Sequence, residues 1–454
     1  MKPISLEKIA EVTGGTYHGS ESEKTTLIAN VVKDNREAAD GSLFVCIPGA
    51  KVDGHDFADS AYEKGAVCCL AEKTLDTDRP YVLVENTAKA LAELAAYYRG
   101  LFDIPIVGIT GSVGKTTSKE MTAAVLSEKY NVLKTTANLN NELGVPLTLL
   151  SLREEHTAAV IEMGISDFGE MRRLSRMVRP NINLMTTIGY CHLENLIDLE
   201  GVLRAKSEVY EFMPEDGIAV VNGDDEHLRS YDPGIKKITY GLTPDNDLWA
   251  DNIKSSGLKG ITCDVHSEKG DFTLDIPAFG NHMVLAALAA AAIGRELGVS
   301  DNEIAAGVKN YAPVGGRANV IDTGYITIID DCYNANPNSV SAAILSLSQL
   351  KGRKVAILGD MFELGKDSRE LHREIGMYAG HQGIDSLICL GKEAEFMYKG
   401  MIASKCERES WFFPMKDSLY SVLPSLIRKG DTVLVKASHG MHFEEIVEEL
   451  KKLK

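Results

Sequence analysis

The chain has 454 residues, 44% of them hydrophobic and 25% charged, the balance of a soluble globular protein; at about 150 residues per domain, about three domains are expected. Its 48 basic and 65 acidic side chains leave a net charge of −17, which argues against nonspecific binding to nucleic acid, since neutralising phosphate is the main source of that affinity. No apolar run approaches the roughly 20 residues needed to span a bilayer, and so membrane insertion is not expected.

The opening stretch "MKPISLEKIAEVTGG" reads as an amphipathic helix with acidic residues and no apolar core of the kind a secretion signal needs, and a cytoplasmic protein is expected. Up to about residue 84, strand-like runs such as "GSLFVCIPG" and "GAVCCLA" alternate with turns and a helical "HDFADSAYEKG", which predicts a small α/β domain over 1–84. From "IPIVGIT" onward, "TAAVIEMG", "NINLMTTIG" and "GIAVVNGDD" each end an apolar run at glycine or polar residues. That alternation predicts a central parallel-sheet domain over 85–313, with ligands at the carboxyl ends of its strands. The alanine-rich "MVLAALAAAAIGRELG" is a strong helix former and needs no functional reading. A third α/β block over 314–454 repeats the device with "YITIIDDCYNANP", "KVAILGDMFELG", "SLICLGK" and "DTVLVKASHG". The eight cysteines show no CxxC pair or zinc spacing, and reduced, mostly buried thiols are expected.

Chemistry concentrates in "GITGSVGKTT", Gly108 to Thr117. A buried-strand candidate precedes it and the amphipathic "SKEMTAAVLSEKY" follows. Gly111 and Gly114 allow the backbone of Thr110, Ser112 and Val113 to approach a phosphate, with N–H groups and the helix N-terminus aimed at it. Lys115 adds a point charge, and Thr116 is placed to ligate a Mg²⁺ that bridges phosphates. The pattern lacks the first glycine of the strict loop, since Ile109 stands there, and a tight strand-to-helix turn that happens to contain lysine is the bland alternative. A mononucleoside triphosphate is the expected ligand. Glu162 ends "TAAVIE" at the sheet's carboxyl edge, where it can either reach a cation or cap a loop. A histidine such as His192 is more often a satisfied, partly buried side chain, and Lys206 in "GVLRAKSEV" reads by itself as a solvated helix lysine. The "NANPNS" stretch suits a turn before a helix.

The loop "TGSVGKTT" resembles that of the Mur ligases and their folylpolyglutamate synthetase relatives. Further stretches narrow the resemblance: "NLNNELGVPLTLL" (Asn138 to Leu150), "EMGISDFGEM", "CHLENLIDLEGVLRAKSEV", "GGRANV", "DDCYNANPNS" and "LGDMFELG" are similar to the dipeptide-adding members of that family, and "DNREAADGSLFVCIPGAKVDGHDF" to their UDP-sugar domain. The likeness runs in order from about residue 4 to residue 450. It implies a UDP-binding first domain, a P-loop ATPase-like centre and a Rossmann-like third domain that binds the amino substrate. It also implies a monomeric enzyme that uses ATP and two Mg²⁺ ions to join D-alanyl-D-alanine to the C-terminal carboxylate of UDP-N-acetylmuramoyl-tripeptide, for peptidoglycan synthesis. A sister ligase adding one amino acid is the near alternative, and a P-loop switch protein is the alternative of another class.

Carried over residue by residue, the resemblance implies phosphate binding by Thr110 through Thr117, with Lys115, Lys206 and His192 in the catalytic set, and metal binding by Thr116, Glu162 and His192. It adds Lys206, carbamoylated by CO₂ into a carboxylate-like ligand, which requires a neutral amine and hence a lowered pKa. Arg317 would reach phosphate, Asp331 the ribose hydroxyls, and Tyr333 the adenine, with Asn281 or His282 substituting for the amides the family uses there. Asn138, Asn141, Asn334 and Asn336 would contact the peptide substrates, and Asp34, Asn35 and Arg36 the UDP group, a loop turn being the alternative for those three. The chain departs from the family pattern in carrying Met283 and Ala286 where asparagines are common, Ala437 and His439 in place of glycine and arginine, Asn35 for serine and Ala137 for glycine.

Overall fold

The computed structural model describes residues 1–49, 51–313 and 315–454. Val314, at the expected junction of the second and third blocks, lies outside the described residues, as does Ala50. Three sheets follow one another along the chain. The first, of five strands between Thr16 and Leu83, is parallel except for Thr16–His18, which pairs antiparallel with Tyr81–Leu83. The helix Leu6–Thr13 opens this region, capped by Ser5, whose hydroxyl accepts from Lys8 N, and stopped by Gly14 in the left-handed region at φ 66.

The central sheet has nine strands in the order Phe272–Ile276, Ile261–Ser267, Leu248–Ser255, Lys236–Gly241, Ile218–Asn222, Ile182–Met185, Ile106–Thr110, Ala158–Glu162, Val132–Lys134. The sheet is parallel as expected except at one edge, where the last three strands in sequence form antiparallel pairs. These strands alternate apolar and polar residues, as in "FTLDI" with burial on every second position, which suits a sheet wetted on one face. The inner parallel strands Ile106–Thr110, Ala158–Glu162 and Ile182–Met185 are buried throughout and sort by period two. Val107, Ile109 and Leu184 face one core with the helices Lys115–Ser127 and His282–Glu296, whereas Ile106, Ile161 and Met185 face the other. The strand Ile106–Thr110 has Ala158–Glu162 on one side and Ile182–Met185 on the other. The connections therefore diverge at its carboxyl end, which opens a crevice there.

The third sheet has six strands, parallel except for Asn319–Asp322 along Thr327–Asp330. Asn336 caps the helix Pro337–Ser348, its side chain accepting from Ser339 N, with Pro337 at the first helical position. Among the described residues no helix is long and apolar enough to cross a membrane. All eight cysteines are free thiols, and only Cys406 is not buried.

Candidate functional site

A cavity of about 630 Å³ lies over the carboxyl edge of the central sheet, with walls from both the central and the third sheet regions. Its floor is the loop between the strand Ile106–Thr110 and the helix Lys115–Ser127. Gly111 (φ 138) and Gly114 (φ 83) take backbone conformations that side chains disfavour. At Gly111 an added Cβ would sit 2.0 Å from Thr186 Oγ1. Thr186 Oγ1 in turn donates to the Val113 carbonyl at 2.5 Å, and Ser112 Oγ donates to the Gly189 carbonyl at 3.1 Å, so the loop is pinned from the neighbouring strand's end. Thr110 is buried in the strand, and Thr117 lines the cavity.

Lys115 faces the cavity while protein surrounds its stem, and its ammonium donates to the Gly111 carbonyl at 2.7 Å. Burial first, and the Lys206 charge second, pull its pKa down to about 8. Lys206 is only 1% exposed, which overturns its reading as a solvated helix lysine. Burial pushes its pKa down as well, favouring the neutral amine.

Glu162 does not cap a loop. Its carboxylate accepts from Thr116 Oγ1 at 2.9 and 3.1 Å and from Asn140 Nδ2 at 2.8 Å, and the Lys119 ammonium stands 3.9 Å away. Thr135 Oγ1 accepts from Glu162 N, and Lys119 Nζ donates to the Thr135 carbonyl, so the carboxylate is held from two directions. Among the described residues no three His, Cys, Asp or Glu side chains converge as a closed metal cage. A buried carboxylate beside a hydroxyl, open to a cavity, nevertheless fits Mg²⁺, which takes one or two protein oxygens and completes its shell with water and phosphate.

His192 lines the same cavity in a left-handed conformation (φ 51). Its Nδ1 lies 2.5 Å from Glu363 Oε2 of the third sheet region, a close contact rather than an aligned hydrogen bond. The close side-chain contact with His192 holds the Glu363 carboxyl below its ordinary range, against burial, which raises it.

Opposite the loop, Asp331 directly follows the strand Thr327–Asp330. The Asp331 carboxylate is taken by Lys436 Nζ at 2.6 Å, and Lys436 also donates to the Asn334 carbonyl. The Arg317 guanidinium stacks 3.9 Å over the Tyr333 ring. His282 begins the helix His282–Glu296; burial lowers its pKa, and its Nδ1 has no hydrogen-bond partner. Asn138, Asn141, Asn334 and Asn336 all line the cavity. Asn141 is occupied locally, accepting from Leu143 N and Gly144 N, as is Asn336 by its cap.

The structure does not bring Asp34, Asn35 and Arg36 to this cavity. They form a turn of the first sheet region, in which Asp34 accepts from Arg36 N and Nε, lowering its pKa to about 2, while Asn35 Nδ2 donates to Ser60 Oγ. Four contributors were missed from the sequence. Asn140 sits between two asparagines that were singled out, and Lys436 ends a strand at the carboxyl edge, the same signal that pointed to Glu162. Lys119 and Glu363 resemble surface residues in sequence, and nothing local marks them.

A phosphate-cradling loop at a topological switch point, faced across a cavity by a second, mostly parallel sheet whose buried Lys436 is paired with Asp331, is the architecture of a P-loop enzyme. Three family models match in order: the Mur ligase family catalytic domain at residues 27–99, the Mur ligase middle domain at 109–294, and the Mur ligase glutamate ligase domain at 316–439. The chain is 35% identical to the UDP-N-acetylmuramoyl-tripeptide–D-alanyl-D-alanine ligase of Bacillus subtilis, over 98% of each chain. It superposes on a MurF crystal structure from Acinetobacter baumannii with a TM-score of 0.92 at 30% identity, covering 100% of this chain and 99% of that one. The MurF ligase of Thermotoga maritima, solved in complex with ADP, gives a TM-score of 0.82 at 30% identity, over 93% and 97% of the two chains. The chain belongs to the Mur ligase family.

Proposed function

We propose that the chain is an ATP-dependent ligase that joins D-alanyl-D-alanine to the C-terminal carboxylate of UDP-N-acetylmuramoyl-tripeptide, giving the pentapeptide precursor of peptidoglycan. The observation that carries the reading is the single cavity in which Lys115, Thr116 and Glu162 face Arg317, Asp331 and Lys436, in a chain that matches the named ligases from end to end.

A carboxylate resists attack by an amine because its negative charge repels the nucleophile and an oxide is a poor leaving group. The tripeptide carboxylate oxygen attacks the γ-phosphorus of ATP, forming an acyl phosphate and releasing ADP. The dipeptide amine then attacks the acyl carbon; the tetrahedral intermediate collapses with loss of phosphate, and the amine proton leaves to solvent or a base. Lys115 and the loop N–H groups neutralise charge on the transferred phosphoryl group and fix its line of approach. Thr116 and Glu162 would hold Mg²⁺, which supplies charge neutralisation across the phosphates. His192 and a carbamoylated Lys206 would hold a second ion, and the lowered Lys206 pKa supports that modification because only the free amine adds CO₂. Asp331 takes the ribose and Arg317 reaches phosphate, each leaving the partner that now occupies it. The first region binds the UDP group through the Asp34–Arg36 turn, and the reaction takes place in the cytoplasm.

The test is phosphate release with ATP and Mg²⁺, adding the UDP-muramoyl tripeptide and D-alanyl-D-alanine singly and together. Release that needs both, and vanishes in Lys115→Ala, is expected. Release with one amino acid in place of the dipeptide would move the reading to a sister ligase, and release with neither substrate would move it to a nucleotide switch.

A further inference from the structure

The segment from Thr187 to His192 lies between the phosphate loop and the third sheet region, and its backbone groups can be followed one by one. The Thr187 carbonyl accepts from Ser112 N at 2.8 Å. Ile188 N donates to Asp225 Oδ2 at 2.7 Å, still within the central region. Gly189 N donates to Ser112 Oγ at 2.9 Å, returning the bond that this hydroxyl gives to the Gly189 carbonyl, and Cys191 Sγ lies 3.2 Å from the same oxygen. The next donor leaves the region. Tyr190 N donates at 3.0 Å to Asn338 Oδ1, 148 positions further along the chain.

Asn338 follows Pro337 in the first turn of the helix Pro337–Ser348, where an asparagine side chain often turns back onto its own backbone. Here Asn336 already caps the helix, and among the described residues the only hydrogen bond of the Asn338 side chain is the one to Tyr190. Its amide also presses against Gly189, where an added Cβ would meet Asn338 Oδ1, Cγ and Nδ2 at 2.6, 2.8 and 3.1 Å. Glycine at 189 makes room for that approach. The helix continues the stretch that carries Asp331 and Tyr333, so the bond ties that stretch to the segment pinning Ser112.

We propose that Asn338 is a positioning residue for phosphoryl transfer, holding the third sheet region in register with the phosphate loop through Tyr190 N and, behind it, the Gly189–Ser112 pair. The inference rests on the proposed ligase activity. The bond joins two regions that bind different groups of the reactants, so its energy acts on their mutual placement rather than on either binding step. Its loss lowers kcat and leaves KM alone.

The test measures kcat and KM for phosphate release by the intact protein with ATP, Mg²⁺, the UDP-muramoyl tripeptide and D-alanyl-D-alanine. Asn338→Ala is expected to lower kcat at least about threefold, near the low end of one net hydrogen bond, with the KM values for tripeptide and dipeptide changed less than about twofold. Asn338→Asp keeps an oxygen on Tyr190 N, at a helix N-terminus that favours an anion, and its kcat stays nearer to that of the unaltered protein than to that of Asn338→Ala. Gly189→Ala drives the amide away and also slows the reaction, but adds little in the Asn338→Ala background, where the group it strikes is gone. The melting temperature of Asn338→Ala stays that of the unaltered protein, because the side chain is exposed and caps no helix end. A kcat loss under about threefold, a loss carried by KM, an Asn338→Asp variant as slow as Asn338→Ala, additive losses in the double variant, or a kcat that only follows a lowered melting temperature overturns the inference. Phosphate release by the unaltered protein that does not need both substrates sinks the ligase reading and the positioning role together, while a ligating protein indifferent to Asn338 sinks the positioning role alone.

Discussion

Lys115 stands at the phosphate loop with its pKa lowered by burial and by the buried Lys206, which predicts a pH dependence of nucleotide binding. Lys115 has its pKa lowered to about 8, by burial first and by Lys206 next. A phosphate ligand favours the ammonium form, so binding above that pKa must take up a proton, and affinity falls tenfold per pH unit there. Well below it the amine is already protonated and affinity is flat. Between about pH 7 and about pH 9 the neutral fraction of Lys115 rises from about one tenth to about nine tenths, so ADP affinity drops about tenfold. The phosphates contribute little to this slope, since their last ionisation lies near pH 6. Titrating ADP by calorimetry in bicarbonate-free buffer with a chelator isolates the lysine. In Lys206→Met one source of repulsion is gone and the midpoint moves up; burial remains, so it does not return to that of a free lysine. Bicarbonate added to the unaltered protein moves it the same way if Lys206 becomes a carbamate, because a positive neighbour turns negative. Constant affinity from pH 7 to pH 9, or a midpoint that falls in Lys206→Met, would refute the reasoning.

Gly111→Ala puts a Cβ 2.0 Å from Thr186 Oγ1 at φ 138, and strain of about 1–3 kcal/mol with loss of ADP binding is expected, read by denaturant unfolding and calorimetry. Retention of ADP affinity would show that the loop is not the phosphate site. Glu363→Ala frees His192 Nδ1 from its neighbour 2.5 Å away, and kcat should fall at least several-fold with little change in ADP affinity, since Glu363 contacts no part of the phosphate loop. Away from the site, Arg353→Leu strands the 2% exposed carboxylate of Asp431, now 2.6 Å from the guanidinium. The partly open Arg353 and the remaining donation from Arg428 N temper the loss to about 2–4 kcal/mol, visible as a lowered melting temperature.

The elements legible in the sequence were those whose pattern is local. The strand before the loop, the loop glycines and the alanine-rich helix follow from period, backbone freedom and propensity, and each lies within a residue or two of its expected place. The antiparallel edge of the central sheet was not legible as such, because alternation in "ITCDVHS" and "FTLDI" marks a half-wet strand without stating its direction. Lys206 was misjudged from its immediate neighbours for a similar reason. Helical sequence reports which face a residue occupies, whereas the burial of that face depends on a loop and a helix N-terminus nearly a hundred positions earlier. The pairing of His192 with Glu363 joins residues far apart in the chain and could only come from the assembled fold.

Backbone strain adds a last constraint on how the site works. Nine non-glycine residues among those described have positive φ, and four of them border the cavity or its rim: Ala137 beside Asn138, His192, Ala318 beside Arg317, and Glu363. Each costs about 1 kcal/mol relative to an ordinary conformation, and glycine would remove most of that cost. Glycine would also free the loop in the unfolded and open states, so that a contact such as His192 to Glu363 would have to be ordered anew at each turnover. A side chain held in the left-handed region by its surroundings has few alternatives to relax into. The cost is met once, on folding, and groups from two sheet regions then face one another without a further ordering penalty when nucleotide arrives.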